Sequence, residues 1–92
     1  MPLFLIISLI TILWRFILKD KIIKIVSTAA KMDPSFLFEN PSDKMWDSLT
    51  HLEIIFLLEE AFNVRLDNSD IPVMRSIDAI IEILSSKYGV NN

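Results

Sequence analysis

In Trp46-Asp47-Ser48-Leu49 a serine hydroxyl stands where an apolar helical pattern begins. Aspartate and serine both start helices well, because their side-chain oxygens accept hydrogen bonds from the first unpaired backbone N–H groups. Behind them Leu49, Leu52, Ile55, Phe56, Glu59 and Phe62 recur at steps of three and four, which predicts one helix face over 48–62. A helix start is exposed and carries a partial positive charge that favours an anion. A phosphate ester on Ser48 fits there, so the stretch reads as a covalent attachment site.

Other chemistries fare worse. The chain has no cysteine, which excludes disulfides, thiolate metal sites and a cysteine nucleophile. One histidine is too few for a histidine-rich metal cluster. Ser48, His51 and Asp47 supply the residue types of a hydrolytic triad, but all three lie within one helical turn. A triad needs the base aimed at the nucleophile, the acid behind the base, and donors for an oxyanion. No glycine-rich turn supplies such donors, so we reject an enzymatic reading.

The elements that must position Ser48 are helical by pattern. Of the 92 residues 52% are hydrophobic, there is one glycine, and few runs alternate strictly. Leu3 to Leu18 is nearly all apolar and carries a single charge, Arg15. As a helix it spans ~24 Å, short of the ~30 Å hydrocarbon core of a bilayer. It reads as a membrane anchor, a packed helix, or translated sequence upstream of the natural start; a secretory signal fits badly. A first domain helix follows from Asp20 to Met32, with Ile22, Ile25, Val26 and Ala29 inward, and Asp33-Pro34 ends it. Residues 33–45 form a long connection in which Phe36, Leu37 and Phe38 need burial. Asp67 to Met74 holds a short helical turn interrupted by Pro72, anchored by Ile71 and Met74. Ser76 caps a last helix, Asp78 complements its dipole, and Gly89 closes it.

The division expected is therefore an apolar segment 1–18, a helical domain 19–88 and a tail 89–92 that frays at Asn91-Asn92. The expected core is Ile22, Val26, Phe36, Leu52, Ile55, Phe56, Phe62, Val64, Leu66, Ile77, Ile80, Ile81 and Leu84. Lys19, Lys21, Lys24 and Lys31 cluster after the apolar stretch. From Glu39 onward ten acidic residues face four basic ones. That acidic surface suits basic protein partners and disfavours nucleic acid.

From Trp46 to Leu84 the chain resembles the acyl carrier proteins, small four-helix carriers of 4′-phosphopantetheine. The resemblance rests on Asp47-Ser48-Leu49, then Glu53, then Glu59-Glu60-x-Phe62-x-Val64-x-Leu66, followed by apolar Ile71 and Met74 and by Ser76-Ile77 opening a terminal helix. With the first helix and the long connection it covers roughly residues 19 to 86. Trp46 departs from the small residue usual before Asp-Ser-Leu in carriers of fatty acid synthesis. Together with His51 and Leu52 it looks more like specialised carriers of secondary or cell-envelope pathways. The apolar N-terminal segment is a second departure.

The resemblance implies an all-α fold, an antiparallel four-helix bundle with a short third helix, preceded here by an extra apolar N-terminal helix. It implies that a phosphopantetheinyl transferase moves 4′-phosphopantetheine from coenzyme A onto Ser48, with Asp47 and Leu49 beside the attachment point. The arm's thiol then holds an acyl or aminoacyl group as a thioester for loading ligases, acyltransferases or synthases. Glu53, Glu59 and Glu60 would meet basic patches on those partners, Met45 and Leu49 would shape the surface the arm crosses, and the core would admit an acyl chain. The implied location is the cytoplasm, with residues 1–18 offering attachment at the inner face of its membrane. Trp46 reads as a packing residue and His51 as a polar surface residue. The competing reading is an unmodified, membrane-attached helical interaction module.

Overall fold

The computed structural model describes residues 3–44 and 46–90, without the side chains of Phe4, Leu5, Ile7, Ser8 and Thr11; the Asn91-Asn92 end lies outside them. Four α-helices and one 3-10 turn follow in order, and no strand occurs among the described residues: α1 (Leu3–Ala30), α2 (Pro34–Glu39), α3 (Ser48–Phe62), the 3-10 turn (Ile71–Val73) and α4 (Ile77–Ser86).

The apolar segment and the first domain helix, expected as two elements, are one. No glycine or proline interrupts residues 3–30, and Asp20 does not cap a new helix but pairs with Lys24 one turn on, at 3.1 Å. The expected boundary survives only as a change in burial: Ile12, Leu13, Phe16 and Ile17 are exposed, whereas Leu18, Ile22, Ile23 and Val26 are buried. Among the described residues no helix is long and apolar enough to cross a membrane.

The helix ends at Ala30, two residues short of the expected Met32 and ahead of Asp33-Pro34. Lys31 turns left-handed at φ 56°, the conformation that commonly closes a helix, and the Ser27 hydroxyl donates to the Met32 carbonyl at 2.8 Å. Asp33 then caps α2, accepting from the Ser35 amide and hydroxyl at 2.9 and 2.7 Å, and Pro34 occupies its first turn. The long connection thus contains a helix of its own. Because successive helical residues diverge by about 100°, the three apolar residues there cannot all turn inward. Leu37 is buried and Phe38 half-buried, while Phe36, expected in the core, is 46% exposed.

α1 packs against α2, α3 and α4. The core joins its four buried residues to Leu37, Trp46, Ile54, Ile55, Leu58, Leu66, Met74, Ile77, Ile80, Ile81 and Leu84. Phe62 and Val64 lie half-buried at its edge. On α3 the inward face is His51, Ile54, Ile55 and Leu58. Leu52 and Phe56, also expected in the core, are 60% and 59% exposed. The α3 sequence is apolar on two sides, so periodicity alone did not select the face that packs.

The short third helix is a single 3-10 turn. Pro72 sits in its first turn and has no N–H to continue a ladder. Met74 beyond it is fully buried. Ser76 caps α4 as expected, accepting from the Ala79 amide at 3.1 Å, and Gly89 takes φ 67° after it. The chain end is tied back through Lys87, which contacts Asp70 at 2.7 Å and Asp67 at 3.1 Å.

Candidate functional site

Ser48 is the first residue of α3 and is exposed. Asp47, not Ser48, caps the helix: its carboxylate accepts from the Thr50 amide at 2.8 Å, and its carbonyl accepts from the His51 amide at 2.9 Å. Among the described residues the Ser48 hydroxyl has no hydrogen-bond partner. Those bonds to Thr50 also hold the Asp47 carboxyl below its usual ionisation range, with a smaller contribution from Arg75. A fixed negative charge therefore stands next to the serine.

The segment leading into Ser48 is held at several points. Trp46 is buried. Its indole N–H donates to His51 Nδ1 at 2.9 Å, and its carbonyl accepts from the Arg75 guanidinium at 2.6 Å. Upstream, the Pro41 carbonyl accepts from the Asp78 amide at 2.9 Å, and the Ser42 hydroxyl donates to the Asp78 carboxylate at 3.2 Å. Asp78 complements the α4 dipole and also fastens the connection, a second role that the sequence reading did not assign. Met45 lies outside the described residues.

His51 corrects the surface reading. It is 3% exposed, and its Nε2 lies 2.6 Å from the Ile71 carbonyl. Both ring nitrogens are thus engaged, one by Trp46 and one by Ile71, and neither is directed at Ser48. Among the described residues no group of three or more histidine, cysteine, aspartate or glutamate side chains is arranged to hold a metal.

Around Ser48 the outer face of α3 carries large apolar side chains. Leu49 is 79% exposed, and with Leu52 and Phe56 it forms a row at steps of three and four, the spacing of neighbours on one helical face. Glu53 and Glu60 are exposed on the adjoining strip. Glu59 differs from them, since its carboxylate accepts from the Leu66 amide at 2.9 Å and so fastens the chain leaving α3. The site is therefore a hydroxyl, an exposed apolar row and two outward glutamates on one rigid helix. Beside it, Lys24, Ile25, Thr28, Leu57, Glu60 and Ala61 line a cleft of about 450 Å³ between α1 and α3.

Of the residues that set the entry to α3, Trp46 packs as expected, whereas its hydrogen bonds, the role of Arg75 and the burial of His51 were missed or misread from the sequence. Their partners lie five, twenty and twenty-nine positions away, and no local pattern encodes such pairs. In comparisons with known proteins, no family model matches the chain, and neither a curated protein nor a solved structure matches it significantly.

Proposed function

We propose that the chain is an acyl carrier, an antiparallel helical bundle that carries acyl or aminoacyl groups as thioesters on a 4′-phosphopantetheine arm at Ser48. One observation carries this reading: Ser48 opens α3 with its hydroxyl outward and the capping duty taken by Asp47. The residue that could have been serving only as a cap is not the cap. In the loading step the serine oxygen attacks the phosphorus that bears the pantetheine arm in coenzyme A. A phosphodiester forms, the adenosine bisphosphate portion leaves, and the serine proton passes to a base that the transferase supplies.

The rest of the site suits delivery and not catalysis. The exposed row Leu49, Leu52 and Phe56 offers partner enzymes a small apolar contact, and Glu53 and Glu60 flank it with negative charge. Charged flanks set encounter rate and orientation, and a small contact permits fast release to the next enzyme. Tethering raises the effective concentration of the bound group at each partner. Glu59, which is engaged with Leu66, contributes less to such contacts. The partners proposed are a phosphopantetheinyl transferase, a loading ligase and an acyltransferase or synthase, acting in the cytoplasm.

The test is intact-mass spectrometry after incubation with coenzyme A and a broad-specificity phosphopantetheinyl transferase, with wild type and Ser48→Ala side by side. A gain of one phosphopantetheine in wild type, absent from the variant, is the expected result. No gain with any transferase leaves the unmodified interaction module as the better account of the exposed α3 row.

A further inference from the structure

The first half of α1 leaves the helical core as an apolar rod. Leu9, Ile10, Ile12, Leu13, Trp14 and Phe16 are each 40% exposed or more. At 100° per residue, these six side chains spread over about 200° of the helix circumference. A partner helix covers a stripe of roughly 100°, so pairing with a second copy would leave much of this surface in water. A bilayer encloses such a rod on every side.

The charge pattern points to the kind of bilayer. Between residues 15 and 31 lie Arg15, Lys19, Lys21, Lys24 and Lys31 against the single acid Asp20. Lys21 and Lys24 fall on the same side of α1 as Ile10, Leu13 and Ile17, one to two turns further along. From residue 33 onward the balance reverses to eleven acidic against four basic residues. The Lys24–Asp20 and Arg15–Glu82 pairs, at 3.1 and 3.9 Å, are exposed and of the weak kind with which lipid headgroups compete.

We infer that residues 3–14 insert obliquely into one face of a membrane rich in anionic lipid, with the basic residues 15–31 at the headgroups, Glu82 beside Arg15 at the membrane surface, and most of the acidic remainder held away. The length agrees. A rod of twelve residues, ~18 Å, is about the depth of one leaflet, which is half of the ~30 Å core, and too short for the whole. Trp14 and the lysines beyond it then lie at the interfacial depth that aromatic and basic side chains favour. This inference does not rest on the carrier reading.

The test is flotation of the full chain with vesicles of phosphatidylcholine, alone or mixed with phosphatidylglycerol, since aggregated protein sinks and bound protein rises. Wild type should float with the mixed vesicles and more weakly with phosphatidylcholine, with a blue shift of tryptophan emission that Trp14→Phe removes. Leu9→Glu with Leu13→Glu, both at exposed positions, should keep helical circular dichroism and lower partitioning at least roughly a hundredfold. Lys21→Glu with Lys24→Glu should weaken binding roughly tenfold on the mixed vesicles alone. Failure to float with either vesicle, or flotation unchanged by both double variants, overturns the inference, and a discrete dimer without lipid would assign the rod to a second copy. Ser48→Ala should float as wild type does, which keeps this outcome separate from the mass test.

Discussion

The Trp46 indole donates to His51 Nδ1 at 2.9 Å inside the core, with the two rings 18° from parallel and their centroids 6.2 Å apart. With Nδ1 accepting, the ring proton sits on Nε2 and is donated to the Ile71 carbonyl at 2.6 Å. One imidazole thereby ties the residue two before Ser48 to α3 and to the 3-10 turn.

That relay predicts coupled losses. His51→Leu leaves the buried indole N–H without a partner, while the Ile71 carbonyl keeps the Met74 amide at 3.3 Å, a cost of about 1–3 kcal/mol. Trp46→Phe removes the donor but keeps a ring. In urea unfolding the double variant should lose less than the sum of the single ones, the mark of a direct interaction.

The two faces of α3 should separate in stability. Leu58→Ala empties a fully buried position and should cost about 2–5 kcal/mol. Leu52→Ala and Phe56→Ser alter exposed positions and should stay within about 0.5 kcal/mol. Equal losses at the three sites would contradict the observed orientation of α3. Under the carrier reading, Leu49→Glu should slow phosphopantetheine transfer in a timed mass assay while leaving the urea midpoint unchanged.

Asp47 and Ser48 should divide their roles. Asp47→Ala removes the acceptor for the Thr50 amide and should lower the thermal midpoint measurably. Ser48→Ala touches no capping bond and should leave the thermal midpoint close to wild type. A large loss in Ser48→Ala would mean that its hydroxyl caps α3 in solution.

The C-terminal tie should respond to pH in two windows. Hydrogen bonds from Lys87 and Tyr88 lower the Asp70 carboxyl below its usual range, so its contribution is present above the ordinary carboxylate range and lost as pH falls through the depressed value. Its bond to Asp70 raises the Tyr88 phenol, and those to Asp70 and Asp67 raise the Lys87 ammonium. Their contribution is complete below the ordinary ionisation near about 10 and lost as pH rises through the raised values. Asp70→Asn should move the phenolate absorbance transition of Tyr88 back toward about 10; an unmoved transition would show that Asp70 does not hold the phenol.

Local chemistry was legible wherever a residue acts on its own neighbourhood. The start of α3 at Asp47-Ser48, the Ser76 cap and the Gly89 turn all follow from side chains within three positions of the backbone they govern. The same locality made the position of Ser48, and hence the candidate attachment site, readable before any packing was known.

By itself the sequence determined an all-helical chain, most of its helix ends and an exposed serine at the head of α3. Tertiary structure alone decided which side of α3 is inside. Leu49, Leu52 and Phe56 match His51, Ile54 and Leu58 in spacing, and the choice fell to the face that could meet α1 and engage both nitrogens of His51. It also decided that residues 3–30 form one helix, half projecting and half packed. Helical propensity runs evenly along that stretch, whereas burial depends on where α2, α3 and α4 lie against it.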